Sequence, residues 1–216
     1  MAIIHKATLS PTKLELIADY LPTQPWFIQD GEPELIGAYR FDDPAGEVGM
    51  ETHVVAAGDR IYQVPLSYRG HELGGAHEWL IGTMEHSVLG KRWVYDACAD
   101  PVYVKALAAA IVTGQREAPL MVEGEPEPRP STVTVKGSGT HDDGVPALSA
   151  SAPVSGSGVT IIDAGALRLR VNRVVDVAAD AAVNTAAAQE LHGGLTLQGS
   201  WAGLEGPVEL AAVLRD

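Results

Sequence analysis

The only cysteine of the chain, Cys98, lies in the stretch RWVYDACADPVYVKALAAAIVTG, between Asp96 and Asp100. A nucleophilic thiol needs a base or a positive neighbour that favours the thiolate. No histidine occurs between His86 and His141, and two flanking carboxylates raise a thiol's pKa rather than lower it. Asp100-Pro101 has a simpler reading. Aspartate is a good N-cap, proline suits the first helical position, and Gly114 lies where the apolar run Val102–Val112, broken only by Lys105, should stop. The stretch is read as the start of a buried helix packed against neighbouring strands, with Cys98 structural.

Three further groups invite a chemical reading. His71-Glu72 and His77-Glu78 repeat the pair H-E six residues apart, whereas a zinc-binding helix presents histidines four apart on one face, and Gly74-Gly75 break any helix there. His141-Asp142-Asp143 sits in GSGTHDDGVPAL and is read as a solvated loop. Gly156-Ser157-Gly158 is too short to cradle a phosphate and marks a turn. No catalytic residue, metal or cofactor is expected from these groups. Four residues are candidates for ligand binding: Arg168 and Arg170, and the aromatics Trp79 and Trp93, which with Tyr62, Tyr68 and Tyr95 would stack on a sugar ring if they share one face. Aromatics on strands otherwise form core or cross-strand pairs.

The elements that must position these groups follow from pattern. Residues 2–9 read as a short strand, and Ser10-Pro11 as the N-cap and first turn of an amphipathic helix over 11–21, with Leu14, Ile17 and Leu21 on one face. ELIGAYRFDD, METHVVAAG, DRIYQVPLSYRG and EWLIGTMEHS follow as strands, with a tight turn at Ala57-Gly58-Asp59. The pattern is an antiparallel meander. Residues 123–130, EGEPEPRP, read as a proline-rich linker. Beyond it, STVTVKG is strand-like, GVTIIDAGALRLRVNRVVD a hairpin turning at Asp163-Ala164-Gly165, 177–191 an alanine-rich helix, and LTLQGSWAG and GPVELAAVLR two final strands. The expected fold class is therefore α+β: a sheet meander with packed helices over residues 1–122, a linker at 123–130, and a small mostly antiparallel subdomain over 131–216.

Composition narrows the partners. A formal charge of −13, with basic residues scattered except around Arg168, Arg170 and Arg173, argues against nucleic acid and against anionic membranes. No apolar run approaches the roughly 18 residues needed to cross a bilayer. The N-terminus lacks a secretory signal, and one cysteine suits a reducing compartment, so the expected location is the cytoplasm.

Trp26-Phe27, then Val64, Pro65, Leu66, Tyr68 and Arg69, then Tyr95, Asp96, Ala97, Asp100 and Pro101 occur in the order of an aromatic pair, a V-P-L-x-Y-R strand end and a Y-D-A-x-x-D-P helix start. In this order residues 10–115 resemble the N-terminal cap of the actinobacterial maltokinase family, whose members phosphorylate maltose on the route from trehalose to glycogen-like glucans. The second half resembles an abbreviated kinase N-lobe, with Arg168 in place of the nucleotide-handling lysine, and its planar fork does not reproduce an ammonium. The resemblance implies a cap without the catalytic lobe: a non-catalytic, pseudokinase-like interaction or regulatory module whose partner is an enzyme of glucan or trehalose metabolism. Two alternatives remain, a carbohydrate- or nucleotide-binding module that takes maltooligosaccharide, and a glucan-active enzyme, which would need paired carboxylates in a cleft.

Overall fold

The computed structural model describes residues 3–28, 31–141, 144–149, 152–175 and 194–214. Two six-stranded, antiparallel sheets dominate it. The N-terminus contributes two short strands, β1 (Ile3–Ile4) and β2 (Leu9–Ser10), rather than one strand over 2–9. Helix α1 (Lys13–Tyr20) follows, and its N-cap is Thr12, not Ser10. Ser10 pairs with Glu85 in the sheet, while Thr12 and Glu15 form a reciprocal capping box. Next come β3 (Glu34–Phe41), β4 (Gly49–Ala57), β5 (Arg60–Arg69), β6 (Leu80–His86) and β7 (Gly90–Asp96).

The order in this first sheet is β2-β6-β7-β5-β4-β3, so β3, β4 and β5 do form a meander, with Gly58 at φ +58° in the β4–β5 turn. The last hairpin then inserts β7 beside β5 and places β6 outside it. Strand β7 is an addition to the sequence reading. GKRWVYD runs directly into the helix start, so no turn residue marks the boundary between them.

Helix α2 (Pro101–Thr113) begins and ends where expected. Asp100 accepts from Val102 N–H at 2.9 Å, and Gly114 closes the helix at φ +70°. Its packing differs from expectation: the helix lies between the first sheet and a second one. After β8 (Met121–Val122), parallel to β1, that second sheet is built from β9 (Val133–Gly137), β10 (Val154–Gly156), β11 (Val159–Asp163), β12 (Arg168–Asn172), β13 (Thr196–Trp201) and β14 (Val208–Leu214), in the order β10-β11-β12-β14-β13-β9. One continuous core joins Tyr39, Phe41 and Val54 of the first sheet, Leu107 and Ile111 of α2, and Val135, Leu169 and Leu210 of the second. Each such fully buried aliphatic side chain contributes roughly 2 kcal/mol.

The chain after β9 also completes the helix. Gly139 N–H donates to Ile111 O and His141 N–H to Val112 O, at 2.9 and 3.1 Å, which satisfies carbonyls that a helix end leaves open. The approach is so close that a Cβ on Gly137 would overlap the Ala110 carbonyl. Residues 123–130 double back, with Arg129 N–H on Leu120 O at 2.9 Å and Arg129 ion-paired to Glu125. The alanine-rich segment 177–191, read above as a helix, and Asp142-Asp143 lie outside the described residues.

Successive residues of a strand point to opposite faces. Val54 enters the core shared with α2, whereas Val55, with Val64, Leu66 and Val94, packs under Leu16, Ile17 and Leu21 of α1. Helix α1 covers only part of that face. Among the described residues, no helix is long and apolar enough to cross a membrane.

Candidate functional site

The two aspartates that flank Cys98 are both buried and both paired with an arginine. Asp100, fully buried, takes both Nε and Nη2 of Arg69 at 2.7 Å while capping α2. Asp96 caps the single 3-10 turn Ala97–Ala99 by accepting from Cys98 N–H, and its other oxygen accepts from Tyr20 Oη at 2.6 Å and Arg173 Nη2 at 2.5 Å. Arg173 is fully buried as well. Its Nε donates to Thr160 Oγ1 at 2.7 Å, Nη2 lies 3.2 Å from Cys98 Sγ, and the guanidinium sits 5.2 Å over the Trp26 ring.

Burial pushes the Cys98 thiol well up despite Arg173 beside it, and Asp96 adds to the rise. The thiol is inert, as expected. Arg173 is a correction: it belongs to no positive surface spot, because the carboxylate of Asp96, which the sequence separates from it by 77 residues, draws it inside.

Around this ion pair runs a polar seam between the two sheets. Gln63 N–H donates to Arg173 O and Val175 N–H to Ile61 O, both at 2.8 Å, so residues 173–175 continue the ladder beside the start of β5. The Gln63 amide nitrogen donates to Asn172 O and Leu210 O at 2.8 and 2.9 Å, and its oxygen accepts from Tyr39 Oη at 2.9 Å. Trp26 and Phe27 close the edge of this region against Tyr62, with ring centroids 5.9 and 5.1 Å apart.

The four sequence-predicted ligand residues do not share one surface. Arg168 and Arg170 lie on β12, in the second sheet, and Arg170 is ion-paired with Glu209 of β14. Trp79 and Trp93 belong to the first sheet and the turn before β6; both are half-buried, and Lys91 Nζ lies 4.9 Å over the Trp93 ring. His71 and His77 stand on an exposed loop and a short 3-10 turn.

The concave site is elsewhere. On the α1 side of the first sheet, beyond the start of the helix, a cleft of about 920 Å³ opens. Every strand contributes to it: Leu9, then Met84 with His86, then Arg92, Tyr68, Glu51 and Arg40 line it in the spatial order β2-β6-β7-β5-β4-β3. Cross-strand register puts these on one face, since Leu9 lies opposite His86, Met84 opposite Arg92, and Arg40 opposite Glu51. The same face is apolar under α1 and polar past it, and that change of polarity makes the cleft.

At its floor, Lys13 is ion-paired with Glu51, whose carboxylate also lies 3.5 Å from His53 Nε2. His53 Nε2 is 3.2 Å from Tyr68 Oη. Burial drives the His53 pKa down to about 4, with Glu51 opposing and Lys13 reinforcing, so the ring is neutral at pH 7. Burial alone would raise Glu51, but His53 and Lys13 outweigh it and hold the carboxyl below its usual range. Arg40 Nη2 donates to Asp42 at 2.9 Å, and Arg40 Nε is buried without a partner.

One wall of the cleft is the β3–β4 loop. Asp43 fixes it by accepting from the N–H groups of Ala45, Glu47 and Val48, each at 3.0 Å. Those three bonds overcome burial and lower the Asp43 pKa. Sequence reasoning missed the cleft. Its one local trace is METHVV, where Glu51 and His53 alternate with buried neighbours before Val55.

Among the described residues, no group of three His, Cys, Asp or Glu side chains converges as a metal site. No curated protein matches the chain. Of the family models, that of the maltokinase N-terminal cap domain matches residues 20–100. This span runs from Tyr20, which donates to Asp96, to Asp100, which caps α2, and so takes in most of the first sheet. Over residues 20–100, then, the chain matches the maltokinase N-terminal cap domain family, the family that its V-P-L-x-Y-R and Y-D-A-x-x-D-P motifs resemble.

Proposed function

We propose that this protein is a non-catalytic cap module of trehalose, maltose and α-glucan metabolism, acting in the cytoplasm through a partner enzyme of that metabolism. The proposed architecture is α+β, a cap-like first half over residues 1–122 joined through 123–130 to an N-lobe-like second half over 131–216. One observation carries the reading. Every charged residue of the two motifs is engaged inside the protein, Arg69 with Asp100 and Asp96 with Arg173, so the motifs tie the cap to α2 and to the second half. Phosphoryl transfer asks for a carboxylate beside the acceptor hydroxyl and oxygen ligands for Mg²⁺. Asp96 and Asp100 are closed to both roles.

The glucan-enzyme alternative needs two carboxylates facing one another across a cleft. The cleft here is lined by Glu47 and Glu51, and Glu51 is neutralised by Lys13. Of the three arginines read as a positive spot, Arg173 is buried against Asp96 and Arg170 is ion-paired with Glu209, while Arg168 is exposed at the start of β12.

The test has two arms. Purified protein incubated with ATP, Mg²⁺ and maltose should yield no sugar phosphate, and affinity capture from the native cytoplasm should recover an enzyme acting on trehalose, maltose or an α-glucan. Turnover that a point substitution abolishes would overturn the non-catalytic reading. Capture of no such enzyme would overturn the partner.

A further inference from the structure

We infer that the cleft on the α1 side of the first sheet binds a small molecule bearing an oxyanion, a phosphate or carboxylate group carried on an uncharged body. This goes beyond the partner reading, and stands or falls without it.

The inference starts from charge. The chain carries −13 overall, yet Lys13, Arg40 and Arg92 line this cleft, with His5, His71 and His86 beside them. Lys13 is matched by Glu51 and Arg40 by Asp42. Among the described residues Arg92 has no carboxylate partner. Its Nη2 donates to the Leu89 carbonyl, and its Nε is buried without a bond. Its Nη1 lies 3.0 Å from where a Cβ on Gly70 would stand, so the missing side chain at 70 makes room for the guanidinium, next to His71. A guanidinium without a counter-charge in a concave, partly apolar surface focuses positive potential, and its planar fork matches two oxygens of a carboxylate or phosphate.

Size and lining define the rest of the ligand. About 920 Å³ lies within the range of small-molecule sites and far exceeds one phosphate. Leu9, Val48, Met84 and Leu89 give it apolar walls, and the Lys13–Glu51 pair offers both a donor and an acceptor to hydroxyls. The opposing charge at the rim is Glu47, which is exposed. The wall it stands on is already fixed by Asp43, so little ordering is left to oppose binding.

The test is calorimetric titration of the full chain at low ionic strength with three probes: inorganic phosphate, glucose 6-phosphate and uncharged maltose. Both phosphates should bind saturably, with a dissociation constant of about 1 mM or tighter for glucose 6-phosphate. Glucose 6-phosphate should bind more tightly than inorganic phosphate, and maltose more weakly than either. Arg92→Ala should weaken the phosphates about tenfold, with Arg92→Lys recovering part of the loss, while Arg168→Ala on the other sheet changes nothing. His71→Ala serves as a second variant on an exposed loop and should weaken them severalfold. Amide shifts on titration should cluster at residues 46–49 and 68–71. No saturable binding of either phosphate, maltose binding as tightly as glucose 6-phosphate, or unchanged affinity in both Arg92→Ala and His71→Ala would overturn the proposal.

Discussion

Arg173 and Arg92 make an instructive pair. Arg173 is removed from water and meets a carboxylate, a hydroxyl, a thiol and an aromatic ring. Arg92 lies in a cleft and meets one backbone carbonyl. Burying a guanidinium is so unfavourable that it persists only where its partners come with it, which identifies Arg173 as architecture. A guanidinium left half-satisfied at a concave surface retains the capacity to recognise something else. The same contrast separates the seam from the cleft: in the seam the buried guanidinium meets a carboxylate, although Arg173 Nη1 is left without a bond, whereas in the cleft Arg92 meets no carboxylate among the described residues.

The largest expected effect falls on the seam. Asp96→Ala leaves Arg173 buried and uncompensated and takes the acceptor from Tyr20 Oη, so stability should fall by about 3–5 kcal/mol, measured by urea unfolding. The double variant Asp96→Leu with Arg173→Met should recover most of it, since a well-packed apolar pair often replaces a buried ion pair at little cost. A loss below about 1 kcal/mol in the single variant would place the pair with exposed ion pairs and dissolve the contrast.

Next comes the cleft floor, through pH. The folded pKa of His53, about 4, lies below its unfolded value of 6.5. The unfolded chain therefore takes up a proton more readily between these values. The stability that His53 contributes is complete above pH 6.5 and is lost as pH falls towards 4. Its size is about 3 kcal/mol. Glu51, whose pKa is lowered, adds a further loss at the acid end of this window, and Tyr68, whose pKa is raised, stays protonated throughout. His53→Gln should flatten the limb between pH 6.5 and 4 relative to wild type; a limb of unchanged slope would mean that water reaches the ring.

A smaller effect separates the two roles of Asp100. Asn in its place still accepts from Val102 N–H but cannot hold Arg69 as an ion. Arg69 keeps Asp43 nearby as a second counter-charge, so Asp100→Asn should cost about 2 kcal/mol rather than the full penalty of a broken buried pair. Asp100→Ala should cost about 1 kcal/mol more, the contribution of the cap. Equal losses in the two variants would mean that the cap contributes nothing.

What could be read before the structure was local. Gly58 in its hairpin, Asp100-Pro101 and Gly114 bounding α2, and the turn at 163–165 are all dictated by backbone chemistry within a few residues, and the fold has them there. Strand β7 went unseen because the strand and the helix start share residues. Arg173 read as surface because its partner is 77 residues away. Thr12 displaced Ser10 as the cap because β2 takes Ser10 for its ladder, a contact with residue 85 that no local pattern reveals. The cleft was hidden for the same reason. Its lining is spread over six strands, and their alignment depends on register and on the order β7-before-β6, which are properties of the sheet and not of any segment.

Asp43 allows the smallest and sharpest comparison, because it shapes the cleft without lining it. Removing its carboxylate frees the N–H groups of Ala45, Glu47 and Val48 at a partly solvated loop, which should cost about 1 kcal/mol. The loop that carries Gly46, Glu47 and Val48 would then have to be ordered by the ligand, so the affinity for glucose 6-phosphate should fall severalfold in Asp43→Ala although no atom that contacts the ligand has changed. Asp43→Asn keeps one acceptor oxygen and should lie between. Hydrogen exchange at the Val48 amide reports the loosening independently of binding. If that amide exchanges freely in Asp43→Ala and the affinity stays as in wild type, the β3–β4 loop is no part of the site, and the recognising surface must be confined to Arg92, His71 and the sheet beneath them.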